Sequence, residues 1–285
     1  MLNILTDSTS DLGTALTGEF NLKVIPLTSI LSGRTYLDGI DIDQENLFKL
    51  VAENGELPTT AAPSVGELER FFDLPGDSVF IGISSQLSAT IQNAQLAASK
   101  YPAGRVRVVD SLSLSAGVGL LALRAAQLRD QGLTAGEIAA DLQQARTRLR
   151  VSFMIDTMEF LYKGGRCSAL QAIAGSVLKI HPVIAVRPDG TLGVKDKARG
   201  TRQRGLQLLL DDFAAHVAEL DLDRVFVTHT TCEADAQFLR DQIQHLAVPR
   251  QVYITRAGSV VSSHCGPRTI GILYFARQGP GISTP

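Results

Sequence analysis

Two hydrophobic periodicities alternate along the first 150 residues. Short apolar runs, Leu2–Leu5, Val79–Ile83 and Val106–Val109, each give way to a polar turn and then to a segment whose apolar residues recur every three or four positions. Runs this short, bounded by turn residues, predict buried strands, and the amphipathic segments predict helices. Helix starts are marked by side chains that can accept from free backbone N–H groups. Asp43 is placed as an N-cap with Ile42 and Leu47 as a hydrophobic staple, and Gly55 ends that helix. Ser64-Val65-Gly66-Glu67 and Thr134-Ala135-Gly136-Glu137 have the capping-box pattern. Ser10 is expected to cap the first helix. Ile91, Ala94, Gln95 and Ala98 are expected on one helix face, and Ile138, Leu142, Ala145 and Leu149 on another. An Ala/Leu-rich helix between them runs to about Gln131 and stops at Gly132.

From Val151 the texture changes. Ser152–Ile155 reads as a strand and Met158–Lys163 as a short helix halted by Gly164-Gly165. Val183–Val186 and Leu192–Lys195 flank Arg187-Pro188-Asp189-Gly190, a turn signal that predicts a hairpin. Helices follow over Thr201–Ala218 and Glu233–Leu246, with strands near Val225–Val227 and Val252–Ile254. The expected fold is α/β in two packed domains. Residues 1–150 form an N-terminal domain with a mainly parallel sheet, and residues 151–285 a C-terminal domain with a mixed sheet. No Pro/Ser-rich linker separates them, so they should pack tightly.

Composition narrows the function classes. The 285 residues are 45% hydrophobic and 20% charged, which excludes a disordered or collagen-like chain. Lys plus Arg number 27 against 29 Asp plus Glu, a net charge of −2, and this argues against a broad nucleic-acid-binding surface. Cys167, Cys232 and Cys265 are far apart and form no CxxC, so neither a zinc ribbon nor a redox pair is indicated. The opening MLNILTDSTSD turns polar after five residues and reads as a first strand rather than a signal peptide. The expected location is cytoplasmic.

Three polar clusters follow apolar runs: Asp7–Ser10, Ser84–Ser88 and Asp110–Ser113. Ligands of open α/β sheets bind where strand ends meet helix starts, because backbone N–H groups and capping hydroxyls converge there. With Pro58-Thr59-Thr60 before another helix, one crevice could gain a wall of hydroxyls suited to a carboxylate or phosphate. The alternative is that each Ser or Thr only caps its own helix. Lys163-Gly164-Gly165-Arg166 supplies glycines for positive φ or close backbone approach, and a planar guanidinium for an oxyanion. Lys195, Lys197, Arg199, Arg202 and Arg204 form a local basic patch, or else a solvated helix face. None of the five histidines pairs at helical spacing with another metal-type ligand, GxSxG is absent, and neither GxGxxG nor GxxxxGK[ST] occurs. His264 follows an apolar, β-like stretch and precedes a Gly-Pro turn. The residues alone thus leave an anion crevice with its ligand unspecified.

The ordered motifs resemble the DegV family of bacterial fatty-acid-binding proteins over nearly the whole chain. Asp7-Ser8-Thr9-Ser10-Asp11-Leu12 resembles the family's opening signature. Pro58-Thr59-Thr60-Ala61-Ala62-Pro63-Ser64 is similar to PTTSQPS, and Ser84-Ser85-Gln86-Leu87-Ser88-Ala89-Thr90 to SSxLSGT. Tyr162-Lys163-Gly164-Gly165-Arg166 is similar to KKGGR, Leu178-Lys179-Ile180-His181-Pro182 to LKIKP, and His264-Cys265-Gly266-Pro267 to HTGPG. Each motif alone is weak; six in order are specific. The departures are Ala89 for Gly, Ile91 where Tyr is common, and His181 for Lys.

The resemblance implies a non-catalytic acyl-carrying subunit of a fatty acid kinase system. Such a protein binds a long-chain fatty acid (palmitate, stearate or oleate) and presents the carboxylate to a separate ATP-dependent kinase subunit for acyl-phosphate formation and phospholipid synthesis. It needs no other cofactor or metal, binds no nucleic acid, and accommodates transient membrane contact. Carried over by motif, Thr60 or Thr59 and Ser85 hold the carboxylate, with His264 beside it and Ser88 as a further participant. Arg166, Arg199 and Arg202 then face the kinase or the acyl phosphate. Burial of a sixteen-carbon tail gains on the order of 10 kcal/mol before entropy costs, at about 0.8 kcal/mol per CH₂. Competing readings are a lipid-responsive sensor and a stand-alone hydrolase.

Overall fold

The fold is given by a computed structural model that describes residues 1–168 and 180–277. Leu178 and Lys179 of the fifth motif lie outside the described residues. A four-stranded parallel sheet has the order β2-β1-β6-β7, from β1 (Leu2–Asp7), β2 (Leu22–Ile25), β6 (Asp77–Gly82) and β7 (Val106–Asp110). Its strands read as unbroken apolar runs because both faces are covered. Ile4, Val79, Ile81 and Val109 face one core, while Leu5 and Phe80 face another under α3 (Val65–Phe72) and α4 (Thr90–Ala98). In α4 the buried residues are Thr90, Ile91, Ala94 and Ala97; Gln95, expected on that face, is exposed.

A second, six-stranded sheet has the order β10-β9-β8-β13-β11-β12. It comprises β8 (Leu149–Met154), β9 (Ile180–Val186), β10 (Leu192–Arg199), β11 (Leu220–His229), β12 (Gln251–Arg256) and β13 (Ile270–Ala276). Only β11 and β12 pair in parallel, so the sheet is mixed. Leu149 therefore opens a strand rather than extending the face of α6 (Ala135–Ala145). Between the sheets lies α5 (Ala116–Asp130), with Gly117, Leu120, Leu121 and Leu123 among its buried residues. Its core includes Ile81 and Val109 on one side and Val151, Phe226 and Leu273 on the other. Over its first eight residues this helix is apolar on all sides and has no solvent face to offer, so it is sandwiched this way. Helices α8 (Arg202–Ala215) and α9 (Glu233–Leu246) cover the outer face of the second sheet through Leu206, Leu209, Phe213, Leu239 and Ile243.

A small antiparallel sheet, β4-β3-β5, lies beside these layers and comprises β3 (Thr28–Leu31), β4 (Arg34–Leu37) and β5 (Thr59–Ala61). It packs with α2 (Gln44–Asn54), where Ile42 and Leu47 form the expected staple. Against it rests α10 (Ser259–Cys265), so His264 ends a helix and does not follow a strand. Helix α1 (Gly13–Glu19) has no side-chain cap. Asp7 instead caps a 3₁₀ turn over Ser8–Ser10, displacing the role expected of Ser10, because its carboxylate accepts from Thr9 N at 3.0 Å. The short helix α7 (Glu159–Lys163) precedes Gly164-Gly165.

Candidate functional site

Part of the expected hydroxyl wall serves the backbone. Ser84 Oγ donates to Gly190 O at 2.9 Å, and Ser111 Oγ donates to Ser113 O at 3.2 Å. Asp110 Oδ1 accepts from Ser85 N and Leu112 N. Three carboxylates are buried among the loops. Asp7 Oδ2 accepts from Ile83 N at 2.8 Å, which ties the end of β1 to the residue after β6. Asp11 accepts from Ser115 Oγ and Gly258 N, and Asp38 from Ser259 N and Oγ. These bonds fix where α5 and α10 begin; that network was not anticipated from sequence.

With those groups committed, a cavity of about 200 Å³ remains where β5, α10, the loop after β6 and the segment after α7 converge. Thr60, Ser88, Arg166 and His264 contribute polar groups, and Leu27, Ile83, Leu114, Leu161, Leu192 and Val261 form much of the apolar wall. Leu114, Val261 and Cys265 also border a void of about 20 Å³ reaching inward to Phe153 and Leu273. The aliphatic walls come from positions 27 to 261, so no local pattern could have grouped them.

The centre of the polar end is a pair 204 residues apart in sequence: Thr60 Oγ1 and His264 Nε2, 2.8 Å apart. The other ring nitrogen, Nδ1, is buried and has no partner among the described residues. A proton on Nδ1 would leave an orphaned donor, which is rarer and costlier than a bare acceptor. The tautomer is therefore assigned as Nε2–H donating to Thr60 Oγ1. That assignment leaves the threonine's own proton free to donate elsewhere. Burial, reinforced by the positive charge of Arg166, pushes His264 down to about 4, so the ring is neutral near pH 7.

Arg166 is half-buried, and its guanidinium donates to Gly164 O at 2.6 Å and Leu87 O at 3.3 Å. Among the described residues it has no carboxylate partner, so an uncompensated cation stands beside a neutral hydrogen-bonding pair. A carboxylate with an apolar tail fits that combination: charge-assisted bonds offset its lost hydration while the tail meets aliphatic walls.

The two glycines of the motif act differently. Gly165 has φ +70°, with none of the described residues near the position a Cβ would occupy. At Gly164 a Cβ would stand 2.5 Å from His264 Nδ1 and 2.8 Å from Phe160 O. Gly164→Ala is thus expected to displace the imidazole and cost about 1–3 kcal/mol, as overpacking does. Gly165→Ala should cost about 1–2 kcal/mol of backbone strain while leaving the imidazole in place. Thermal unfolding and fatty-acid retention of the two variants check this: both should melt lower, and only Gly164→Ala should also retain less. Equal retention would show that the close approach is dispensable.

The remaining expected residues separate. Thr59 is exposed; β-strand alternation puts it on the opposite face of β5 from Thr60. Ser85 is exposed and absent from the cavity lining. Ser88 lines the cavity, with its hydroxyl 2.9 Å from Thr90 Oγ1. Arg202 lies away from the cavity in a network, bonded to Asp235 at 2.8 Å and Asp156 at 3.1 Å, and Asp156 also meets His181 at 3.0 Å. Lys195 pairs with Asp212 at 2.5 Å, and Arg199 is exposed. The charge run is therefore partly neutralised rather than a free patch. Among the described residues, no group of three or more His, Cys, Asp or Glu is placed to hold a metal, and no helix is long and apolar enough to cross a membrane.

Comparison with known proteins identifies the family. A DegV domain-containing protein of Caldanaerobacter subterraneus subsp. tengcongensis is 32% identical over 280 residues, 95% of this chain and 97% of that protein. A solved structure described as fatty acid binding of a DegV family protein from Thermus thermophilus superposes with a TM-score of 0.90 at 32% identity, covering 96% of this chain and 99% of that one. The fatty acid kinase (Fak) B3 protein of Streptococcus pneumoniae, loaded with linoleic acid, shares the fold with a TM-score of 0.84 at 23% identity, covering 96% and 99%. The model described as "Uncharacterised protein, DegV family" matches residues 1–277, and the chain belongs to the DegV family.

Proposed function

We propose that this chain binds one long-chain fatty acid in the cavity between β5, α10 and the Arg166 segment, and presents its carboxylate to a separate ATP-dependent kinase subunit. The observation that carries the reading is the Thr60–His264 pair beside Arg166, which has no carboxylate partner among the described residues, at one end of an otherwise aliphatic space. The Thermus thermophilus relative, described as fatty acid binding, supports the ligand class, and the Fak B3 neighbour supports the kinase partner. Thr60 donates to the carboxylate, His264 orients that hydroxyl, and Arg166 supplies the opposing charge. Arg166 is also the group placed to meet an incoming phosphoryl donor, and Arg199, exposed, belongs to the surface a kinase would meet. Ser88 is a secondary contact; Thr59, Ser85 and Arg202 have no direct part in this reading. We read the chain itself as non-catalytic: Thr60, the cavity hydroxyl that meets an imidazole, accepts from His264 Nε2–H and so has no base there to take its proton, and the sequence has neither GxGxxG nor GxxxxGK[ST].

Mass spectrometry of the purified chain, native and then solvent-extracted, tests the binding. One stoichiometric C14–C18 acid is expected; an empty protein that takes up neither palmitate nor oleate would overturn it. Incubating the loaded chain with ATP and a fatty acid kinase catalytic subunit tests the presentation. Acyl phosphate should form only with both proteins present, and Arg166→Ala, assayed at saturating acid, should lower phosphorylation by about ten-fold, the loss of one charge-assisted bond. Acyl phosphate formed by the chain and ATP alone would favour a stand-alone enzyme.

A further inference from the structure

A second concavity, of about 360 Å³, opens where β9 parts from β8. The two strands pair only over Ser152–Met154, and the first half of β8, Leu149–Val151, pairs with β13 alone. Into the resulting cleft come Arg146 from the turn before β8, Arg150 from β8, Arg187 from the β9–β10 turn and Lys195 from β10. Among the described residues its lining holds one carboxylate, Asp212, already paired with Lys195 at 2.5 Å. Arg146 donates to Asp110 O, and Arg150 to Thr147 O and Leu149 O. Asp189 shares the turn with Arg187, but its carboxylate accepts from Thr191 N and Oγ1. Among the described residues, none of the three arginines forms an ion pair. A chain of net charge −2 thus gathers three uncompensated guanidinium groups in one cleft. Leu112 and Ser113 wall this cleft, whereas Leu114 faces the first cavity, so the two spaces lie on opposite sides of one loop.

We propose that this cleft is a binding site for a compact phosphate-bearing anion, held by Arg146, Arg150 and Arg187. Like charges brought together on separate segments repel one another, and a multiply charged anion relieves that repulsion. Guanidinium forks match phosphate oxygens two at a time, which a cluster of lysines would not. A cavity of this size suits a mono- or diphosphate group rather than a folded acidic partner. The proposal is independent of the fatty-acid reading.

Calorimetric titration of the full chain with pyrophosphate at low salt tests it. Saturable binding is expected, weakening as salt rises. Arg150→Gln with Arg187→Gln should weaken it at least about ten-fold, the loss of one or more charge-assisted bonds. The pair Lys23→Gln with Lys49→Gln removes the same charge from exposed positions elsewhere and should leave it unchanged. Arg187→Lys keeps the charge but loses the fork, and should fall between. Circular dichroism confirms that each variant is folded. Absence of pyrophosphate binding, equal weakening by the two charge pairs, or binding of polyglutamate without pyrophosphate would each overturn the proposal.

Discussion

Thr60→Val is expected to weaken fatty-acid binding by about 10- to 100-fold, while Thr59→Val, one residue earlier, leaves it unchanged. Valine keeps the shape of threonine and removes only the hydroxyl, so the cavity wall is preserved. Two losses then coincide. The carboxylate loses a donor, and a hydrogen bond to a charged group contributes about 1.5–3 kcal/mol. The Nε2–H of His264 loses the acceptor it has at 2.8 Å, which leaves a buried donor unsatisfied. That second loss also lowers the stability of the empty protein, by about 1–3 kcal/mol. Thr60→Ser restores the hydroxyl and should recover most of both. Retention measured by solvent extraction, with the unfolding midpoint of the delipidated protein, separates the two effects. Greater loss from Thr59→Val than from Thr60→Val would reverse the assignment of the inward-facing threonine.

What the sequence reveals here is mostly what neighbours in the chain decide. The capping boxes at Ser64 and Thr134, the staple of Ile42 and Leu47, and the turn at Arg187-Pro188-Asp189-Gly190 all form as expected, because each closes within a few residues. The four-residue strands β2, β3 and β4 are illegible for the opposite reason: their pairing depends on partners elsewhere. Val260 and Val261 are β-branched and read as strand, yet packing against β3, β5 and α7 holds them in α10. The site divides along the same line. Sequence motifs placed Thr60, His264 and Arg166 together as a resemblance, but which hydroxyl faces the cavity depends on bonds spanning most of the chain. Asp38 to Ser259 and Thr60 to His264 are such bonds. Ser84 and Ser111 read equally well as ligand groups until their carbonyl partners are known.

The acid response of this protein should contain two opposed contributions of similar size, and variants at Asp7 and His264 should separate them. Burial, with the charge of nearby Asp38 adding to it, raises Asp7 from 3.8 to about 6 despite bonds from Thr9 and Ile83. The folded state then holds a proton the unfolded state has released. Stability from this group is present below pH 4 and is lost as pH rises to about 6, by about 3 kcal/mol. Asp11 is raised as well, again chiefly by burial, and acts in the same direction. His264 behaves oppositely: burial and then Arg166 lower it from 6.5 to about 4. The unfolded chain takes up that proton first, so stability is lost as pH falls from about 6.5 to 4, also by about 3 kcal/mol. Between these two groups the slopes largely cancel, and Asp11 tilts the parent's balance towards the Asp7 side. His264→Gln should remove one and make the protein more stable towards pH 4 than at pH 7. Asp7→Asn should remove the other, leaving stability to fall more steeply with acid than in the parent, whatever the absolute cost of altering its bonds. Urea midpoints taken between pH 4 and pH 7 read the slopes directly. A His264→Gln profile parallel to the parent's would mean that the imidazole is not held neutral by its surroundings. Nδ1 would then lie open to water, and the orphaned-donor argument that assigns Nε2–H to Thr60 would fall with it.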